Sequence, residues 1–149
     1  MDYKTAKAYL DGILNARRQI NRLEISMARI REEIANPLPS GGYGDKVQTS
    51  PQGDALERKV IKYIDLLTKH EKAFLASKQH YEQKIYDAET HILQMPDGKP
   101  KQFLLAHYID GVTEIDYAVI NGYDTTNSVY NLKLRAIQTF ANFFTKKWW

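Results

Sequence analysis

Residues 4–35 read KTAKAYLDGILNARRQINRLEISMARIREEIA, a stretch with one glycine and no proline. Apolar residues recur in it every seven positions, and a second apolar series fills the companion position of each heptad. This a/d pattern is typical of a long helix that packs along its length against another helix. The two series are Ile13, Ile20, Met27 and Ile34, and Tyr9, Ala16, Leu23 and Ile30.

A second helical pattern covers residues 55–94, where Asp54 is suited to cap the helix and Glu57 to close a capping box. Glu71 and Lys78 interrupt its companion apolar series. Such polar residues either fix the register of a helix pair or mark a point where the seam drifts. The main series is Val60, Leu67, Phe74, Tyr81 and Ala88, and the companion series is Ile64, Ile85 and Ile92.

Proline, glycine and serine dominate residues 37–54, which therefore form a loop between the two helices. Two long helices joined by one loop predict an antiparallel helical hairpin, a coiled coil. A hairpin alone buries little apolar surface. A further partner, such as a second copy of the chain bound through the heptads, fits this pattern.

Residues 95–100, Met-Pro-Asp-Gly-Lys-Pro, break the helical pattern, and three shorter helices follow. We expect the first at about 100–109, ended by Gly111 in the left-handed conformation. The second covers 114–120, capped by Thr113 and with Ile115, Ala118 and Val119 as its apolar face. The third begins after Asp124 or Thr125 and runs to about residue 144, with Val129, Leu132, Ala136, Ile137 and Phe140 buried.

The chain is therefore predicted to be all-α and to comprise two parts. Residues 1–94 form the long helical hairpin with its loop at 37–54. Residues 98–149 form a compact bundle in which a short helix, a glycine-containing turn and a longer helix follow one another. This order is typical of a helix-turn-helix DNA-binding domain, and it also occurs in three-helix bundles with no DNA role.

A helix-turn-helix reads base edges with residues near the start of its second helix. If Val129 and Leu132 face the core, four residues of the third helix face outward as candidate base contacts. Asparagine can pair with adenine, threonine can contact a donor, an acceptor or a thymine methyl group, and tyrosine can bond a phosphate. The candidate base contacts are Thr126, Asn127, Tyr130 and Asn131, and the candidate phosphate contacts are Thr113, Thr125, Lys133, Arg135, Lys146 and Lys147.

The charge distribution favours a nucleic-acid partner more than the total charge does. The formal net charge is only +3. After Asp124, however, the chain carries four basic residues and no acidic residue. A local basic surface attracts phosphates whatever the total charge of the protein.

Several classes of protein are excluded or disfavoured by the sequence. The chain has no cysteine, which excludes a disulfide framework, a thiol nucleophile and a thiolate zinc site. Its four histidines lack the i, i+3 or i, i+4 spacing of helical metal ligands, so we expect no metal. The glycines of residues 41–44 lack the lysine and the strand of a phosphate-binding loop, and no Ser-His-Asp set is constrained in geometry, so we expect no cofactor and no enzymatic activity. With neither a signal peptide nor an apolar run of about 20 residues, we expect a cytoplasmic protein without a membrane partner.

Two stretches resemble a family of small phage and prophage transcription regulators of Gram-positive bacteria, grouped with late activators of the RinA and ArpU type. The first is Asp45-Lys46-Val47-Gln48-Thr49-Ser50-Pro51 before a long helix, together with an N-terminal helix beginning near Tyr9-Leu10. The second is the C-terminal part, which looks like the promoter-reading region four of primary sigma factors. Its counterparts here are residues 104–109, residues 113–120, Thr125, Val129, Leu132 and the triplet Arg135-Ala136-Ile137.

The resemblance implies a DNA-binding transcription regulator, a phage late-operon activator that contacts double-stranded promoter DNA and RNA polymerase in the bacterial host. The start of the third helix, Thr126-Asn127-Ser128, departs from region four, which has an arginine-rich start there. Two alternatives remain open. One is a small terminase subunit for DNA packaging, which also joins a helix-turn-helix to a helical oligomerisation region. The other is a coiled-coil interaction module without DNA binding.

Overall fold

The computed structural model describes the backbone of residues 1–35 and 50–148, and the side chains of this part except those of residues 34, 50–54 and 146–148. The fold is all-helical, as predicted. The elements are α1 (Tyr3–Ala35), α2 (Ser50–Leu93), α3 (Lys99–Leu104), a π-helical turn (Leu105–Ile109), α4 (Glu114–Ile120) and α5 (Thr126–Trp148).

The start of α2 differs from the prediction. The helix begins at Ser50, so Asp54 lies inside its second turn and is not its cap. Pro51 is compatible with this earlier start, because a proline in the first turn removes an N–H that has no helical acceptor there. Most of the predicted loop at 37–54, and with it most of the Asp45–Pro51 segment, lies outside the described residues.

None of the described helices combines the length and the apolar composition that a membrane crossing requires.

The chain divides into two compact units. One unit contains Met1–Gln19 and Tyr81–Trp149, and the other contains Ile20–His80. This division does not follow the break at residues 95–98, where the sequence suggested a boundary. The reason is that the first turns of α1 and the last turns of α2 share an apolar core with the C-terminal helices.

In the first unit, aromatic contacts join the long helices to α5. The ring of Tyr9 on α1 stacks on that of Phe140 at 5.8 Å between centroids. The ring of His91 on α2 meets that of Phe144 edge-on at 5.3 Å. The Tyr9 hydroxyl also lies 2.8 Å from Nδ1 of His91. Fully buried members of this core include Leu10, Ile92, Phe103, Leu104, Tyr108, Val129, Leu132, Ile137 and Phe140.

In the second unit, α1 and α2 run antiparallel. Lys78 of α2 is 3.4 Å from Glu24 of α1, and Arg31 of α1 is 3.4 Å from Glu71 of α2. The two polar interruptions of the α2 heptads therefore make interhelical ion pairs in one register, which favours a role in register over a drift of the seam. The pairs are partly exposed, so each contributes at most about 1 kcal/mol.

The turns around α3 follow the predicted chemistry. The π-helical turn closes with the Asp110 N–H donating to the Leu105 carbonyl at 2.9 Å. Gly111 follows with φ of 77°, a backbone conformation that residues with a Cβ rarely adopt. This confirms the predicted left-handed conformation of Gly111 at the end of the helical segment. The chain then reaches α4 through Val112 and Thr113.

Candidate nucleic-acid interface

Two threonine caps define α4 and α5. The Thr113 hydroxyl accepts a hydrogen bond from the Asp116 N–H at 3.1 Å, and the Thr125 hydroxyl accepts one from the Ser128 N–H at 3.3 Å. Between the helices, Gly122 has φ of 73° and the Tyr123 N–H donates to the Ala118 carbonyl at 2.8 Å. Both predicted helix starts are confirmed, since each side chain satisfies an N–H that has no helical acceptor.

The buried face of α5 is the face that the apolar periodicity predicted. All five residues predicted to be buried are buried against the rest of the first unit. The buried residues are Val129, Leu132, Ala136, Ile137 and Phe140.

The four candidate base contacts lie together on the outside of α5. They occupy its first two turns and span an arc of about 140° around the helix axis. All four side chains are exposed, as expected once Val129 and Leu132 are buried. They are Thr126, Asn127, Tyr130 and Asn131. The structure therefore presents two amides, a hydroxyl and a phenol on one surface, with the first turn held by the Thr125 cap.

Among the candidate phosphate contacts, Lys133 differs in its surroundings from Arg135. The Lys133 ammonium lies 2.9 Å from the Glu114 carboxylate, and the two side chains are 18% and 30% exposed. This half-buried pair leaves Lys133 with much of its charge compensated. Arg135 is exposed and lies with Lys99 and Gln138 beside a cleft of about 520 Å³. The side chains of Lys146 and Lys147 lie outside the described residues.

The two capping threonines, Thr113 and Thr125, are both exposed. Their oxygens accept backbone N–H groups, but each hydroxyl also carries a proton that can be donated. In the structure the Thr125 hydroxyl is 3.1 Å from that of Ser128, and either atom can be the donor. A phosphate contact by Thr125 therefore competes with this local hydrogen bond.

Two basic residues that the sequence pattern does not indicate lie near the start of α4. Arg17 and Arg18 of α1 line a cleft of about 530 Å³ together with Thr113 and Glu114. The Arg17 guanidinium donates to the Ile109 carbonyl, whereas Arg18 is exposed. No local pattern connects these arginines to a threonine almost a hundred positions away, so only the tertiary structure brings them together.

The apolar face of α4 is the predicted one only in part. Ala118 is buried as predicted, but Tyr117 is buried beside it, whereas the predicted Ile115 and Val119 are 65% and 77% exposed and Ile120 is 71% exposed. The Tyr117 ring meets the Phe103 ring edge-on at 5.1 Å, and this aromatic contact turns the helix relative to the expected orientation. A helix of two turns gives the hydrophobic period too few residues to decide between neighbouring faces.

His107 lies at the same cleft in a mostly apolar environment. Its ring stacks on that of Phe103 at 5.2 Å between centroids, and its Nδ1 is 2.7 Å from the Val112 carbonyl oxygen. Burial lowers the pKa of His107 below its ordinary value of 6.5. A neutral imidazole with its proton on Nδ1 satisfies the carbonyl, so this histidine is a structural group in the core wall near α4.

No protein-family profile, no curated protein and no solved structure matches this chain. The function of the protein is therefore inferred from the geometry of the site and from the chemistry of its side chains.

Proposed function

We propose that this protein is a DNA-binding transcription regulator in which α4, its turn and α5 act as a helix-turn-helix. The observation that carries the proposal is the exposed group Thr126, Asn127, Tyr130 and Asn131 on the first two turns of α5. In a helix-turn-helix these are the turns that enter the major groove.

The chemistry of this surface suits base reading. Asn127 and Asn131 each carry an amide whose N–H can donate to N7 of adenine while its oxygen accepts from N6–H, so each side chain complements the edge that adenine presents in the major groove. The opposite face of α5 is anchored by Val129 and Leu132, which are buried. Because the anchor fixes the rotation of the helix, the polar group is presented to a ligand in one orientation.

The surrounding charges supply contacts to the DNA backbone. Arg18 is exposed beside Thr113, and Arg135 is exposed one turn beyond the polar group of α5. Both guanidinium groups suit phosphate oxygens. Lys133 contributes less than the sequence suggested, because Glu114 compensates its charge.

More specifically, we propose that the protein activates a phage late operon by contacting both promoter DNA and RNA polymerase. It is supported by the resemblance of residues 45–51 and of the C-terminal helices to phage late activators and to sigma region four.

The proposal is tested by fluorescence anisotropy with duplex DNA from the protein's genomic neighbourhood, a scrambled duplex and a salt series. We expect Asn127→Ala combined with Asn131→Ala to weaken binding to the native duplex by about 1–3 kcal/mol per lost base contact, with little change on scrambled DNA. The logarithm of the affinity should fall with the logarithm of the salt concentration at a slope near −0.9 per phosphate contact.

The matched control is Asn142→Ala. Asn142 is also an exposed asparagine of α5, and its side chain accepts a hydrogen bond from Gln138 at 2.8 Å, far from the first two turns. We expect this variant to bind as the unmodified protein does. Equal losses on native and scrambled DNA would show that Asn127 and Asn131 do not read bases. No binding of either duplex at low salt would contradict the proposed function.

A further inference from the structure

A cleft of about 520 Å³ between the start of α3 and the middle of α5 brings two basic residues together. Lys99 is the first residue of α3, and Arg135 lies on α5. Both side chains are exposed, and none of the described residues that line the cleft is acidic. Its other lining residues are Pro100, Leu132, Gln138 and Thr139. Two cationic groups at one concave surface attract an anion.

The packing of α3 on α5 fixes the positions of these two basic residues. Phe103 and Leu104 follow Lys99 by about one helical turn and are fully buried. They share their core with Leu132 of α5, which also lines the cleft. Because this core holds the two helices together, a ligand finds both basic residues on a preformed support. Less conformational freedom is then lost on binding.

The polar side chains of the cleft leave recognition mainly to the two charges. The Thr139 hydroxyl donates to the Arg135 carbonyl at 2.7 Å, so its proton is already used. The Gln138 amide donates one N–H to Asn142 at 2.8 Å and keeps a second N–H. Ammonium and guanidinium groups donate several charge-assisted hydrogen bonds, and phosphate oxygens accept them well. The chemistry of the cleft therefore suits a phosphate group.

The cleft borders the exposed polar group of α5. With about 100° per residue, Arg135 lies about 40° around the helix axis from Asn131 and about 6 Å further along it. Thr139 lies about 40° beyond Arg135, toward α3. The start of α4 contacts α5 on the other side, through the Lys133–Glu114 ion pair, about 160° from Arg135. The exposed amides of α5 are therefore flanked by α3 on one side and by α4 on the other.

We propose that this cleft binds a phosphate of the DNA backbone, held by Lys99 and Arg135. The proposal rests on the proposed function, in which the first two turns of α5 enter the major groove. A helix in a groove of about 12 Å lies between the two sugar–phosphate strands. The strand on the α3 side then passes the cleft, beyond the bases that Asn131 contacts. The strand on the α4 side passes the exposed Arg18.

The salt dependence of DNA binding tests this contact. We expect Lys99→Gln to weaken binding to native and scrambled duplexes alike, by about five- to tenfold at about 0.1 M salt, and to reduce the steepness of the log–log salt plot by about 0.9. The preference for the native duplex should not change, because a phosphate contact carries no sequence information. Lys99 is exposed, so circular dichroism should show an unchanged fold.

The matched control is Lys101→Gln, which removes the same charge two residues away. The Lys101 ammonium lies 3.0 Å from the Asp97 carboxylate, and Lys101 is not among the residues that line the cleft. We expect this variant to bind both duplexes with nearly the affinity and the salt dependence of the unmodified protein. Equal losses in Lys99→Gln and Lys101→Gln would show an effect of total charge and overturn the proposal.

The results separate this proposal from the proposed function. Tighter binding of the native duplex that Lys99→Gln leaves unchanged would overturn the phosphate contact while the DNA-binding function stands. Failure of the unmodified protein to bind either duplex at low salt would contradict both. Calorimetric titration with inorganic pyrophosphate tests a free anion as the occupant. Pyrophosphate binding that Lys99→Gln abolishes, together with unchanged DNA binding, would assign the cleft to a small anion and overturn the proposal.

Phosphate ethylation interference on the native duplex locates the contact. Ethylation of the phosphate that occupies the cleft should weaken binding of the unmodified protein, because it removes the negative charge and adds bulk. The same ethylation should have a smaller effect on Lys99→Gln, whereas interference at the other contacted phosphates should remain. Identical interference patterns for the two proteins would exclude a phosphate at Lys99.

Discussion

His107 shows how burial controls the charge of one side chain near α4. Its imidazole is enclosed by Phe103 and by Tyr108, whose ring it meets edge-on at 4.8 Å, and its Nδ1 contacts the Val112 carbonyl. Desolvation lowers the pKa of His107, so the folded protein prefers the neutral ring. The unfolded chain takes up a proton at a higher pH than the folded chain does.

This difference predicts a loss of stability in acid. Above the unfolded pKa of 6.5 the His107 contribution is fully present, and it declines as the pH falls from there toward the lowered pKa of the folded state. Urea unfolding at about pH 7.5 and about pH 5.5 should show a smaller stability decrease in His107→Gln than in the unmodified protein. The exposed His70, replaced by Gln, is the control. Identical decreases in all three proteins would contradict the assignment.

Tyr108 and Tyr9 belong to the same core region but differ in whether their hydroxyl group has a hydrogen-bond partner. Tyr108 is fully buried, and within the described part of the chain its hydroxyl has no hydrogen-bond partner. Burial also raises the pKa of Tyr108. Tyr9 is half-buried, and its hydroxyl has a partner in His91 at 2.8 Å. An unsatisfied buried hydroxyl costs free energy, whereas a satisfied one contributes a little.

Removing the two hydroxyl groups should therefore have opposite effects. We expect Tyr108→Phe to raise the free energy of unfolding by about 1 kcal/mol, since the desolvation cost disappears and the ring packing stays. Tyr9→Phe should lower the free energy of unfolding by about 1 kcal/mol, because the hydrogen bond between the Tyr9 hydroxyl and Nδ1 of His91 is lost. Chemical denaturation measures both. A destabilised Tyr108→Phe would indicate a hydrogen bond, for instance to a buried water.

In α4 the local sequence pattern and the tertiary packing favour different buried faces. Its sequence alone favoured burial of Ile115 and Val119, but the structure buries Tyr117 and leaves Val119 in solvent. The Phe103 ring selects the aromatic residue, because the edge-to-face contact and the larger area of Tyr117 outweigh the burial of an aliphatic side chain.

The two faces of α4 predict different costs of substitution. Val119→Ser should change the free energy of unfolding by less than about 0.5 kcal/mol, as surface substitutions generally do. Tyr117→Ala should cost about 3–5 kcal/mol, because it leaves a cavity against Phe103. Thermal and urea unfolding of the two variants provide the comparison. The reverse order of costs would support the face that the sequence favoured.

The first compact unit is assembled from parts of the chain that are distant in sequence. Leu10 of α1, Ile92 of α2 and Phe140 of α5 belong to one apolar core. The Thr145 hydroxyl near the end of α5 donates to the Met1 carbonyl at 2.8 Å. The proposed DNA-reading helix is therefore supported by both long helices, and it is not carried by an independent C-terminal bundle.

Much of the fold follows from local signals. The heptads of residues 4–35 set α1 to within one residue, the threonine caps set α4 and α5, and Gly111 marks the end of the π-helical turn. Each of these features depends on neighbours within about one helical turn, where backbone hydrogen bonds and side-chain spacing dominate. The exposed polar group of α5 was predictable for the same reason, since burial of Val129 and Leu132 rotates it outward.

The charges around the candidate site depend on contacts between residues that are distant in the chain. Glu114 compensates Lys133 across two helices, and Arg18 reaches the start of α4 from the far end of the chain. The existence of the helices, the threonine caps of α4 and α5 and the inner face of α5 follow from the sequence, because short-range geometry is encoded in short stretches. The buried face of α4 and the pairing of Lys133 with Glu114 depend on the tertiary structure. Those outcomes depend on pairings between residues whose separation in the chain leaves no periodic trace.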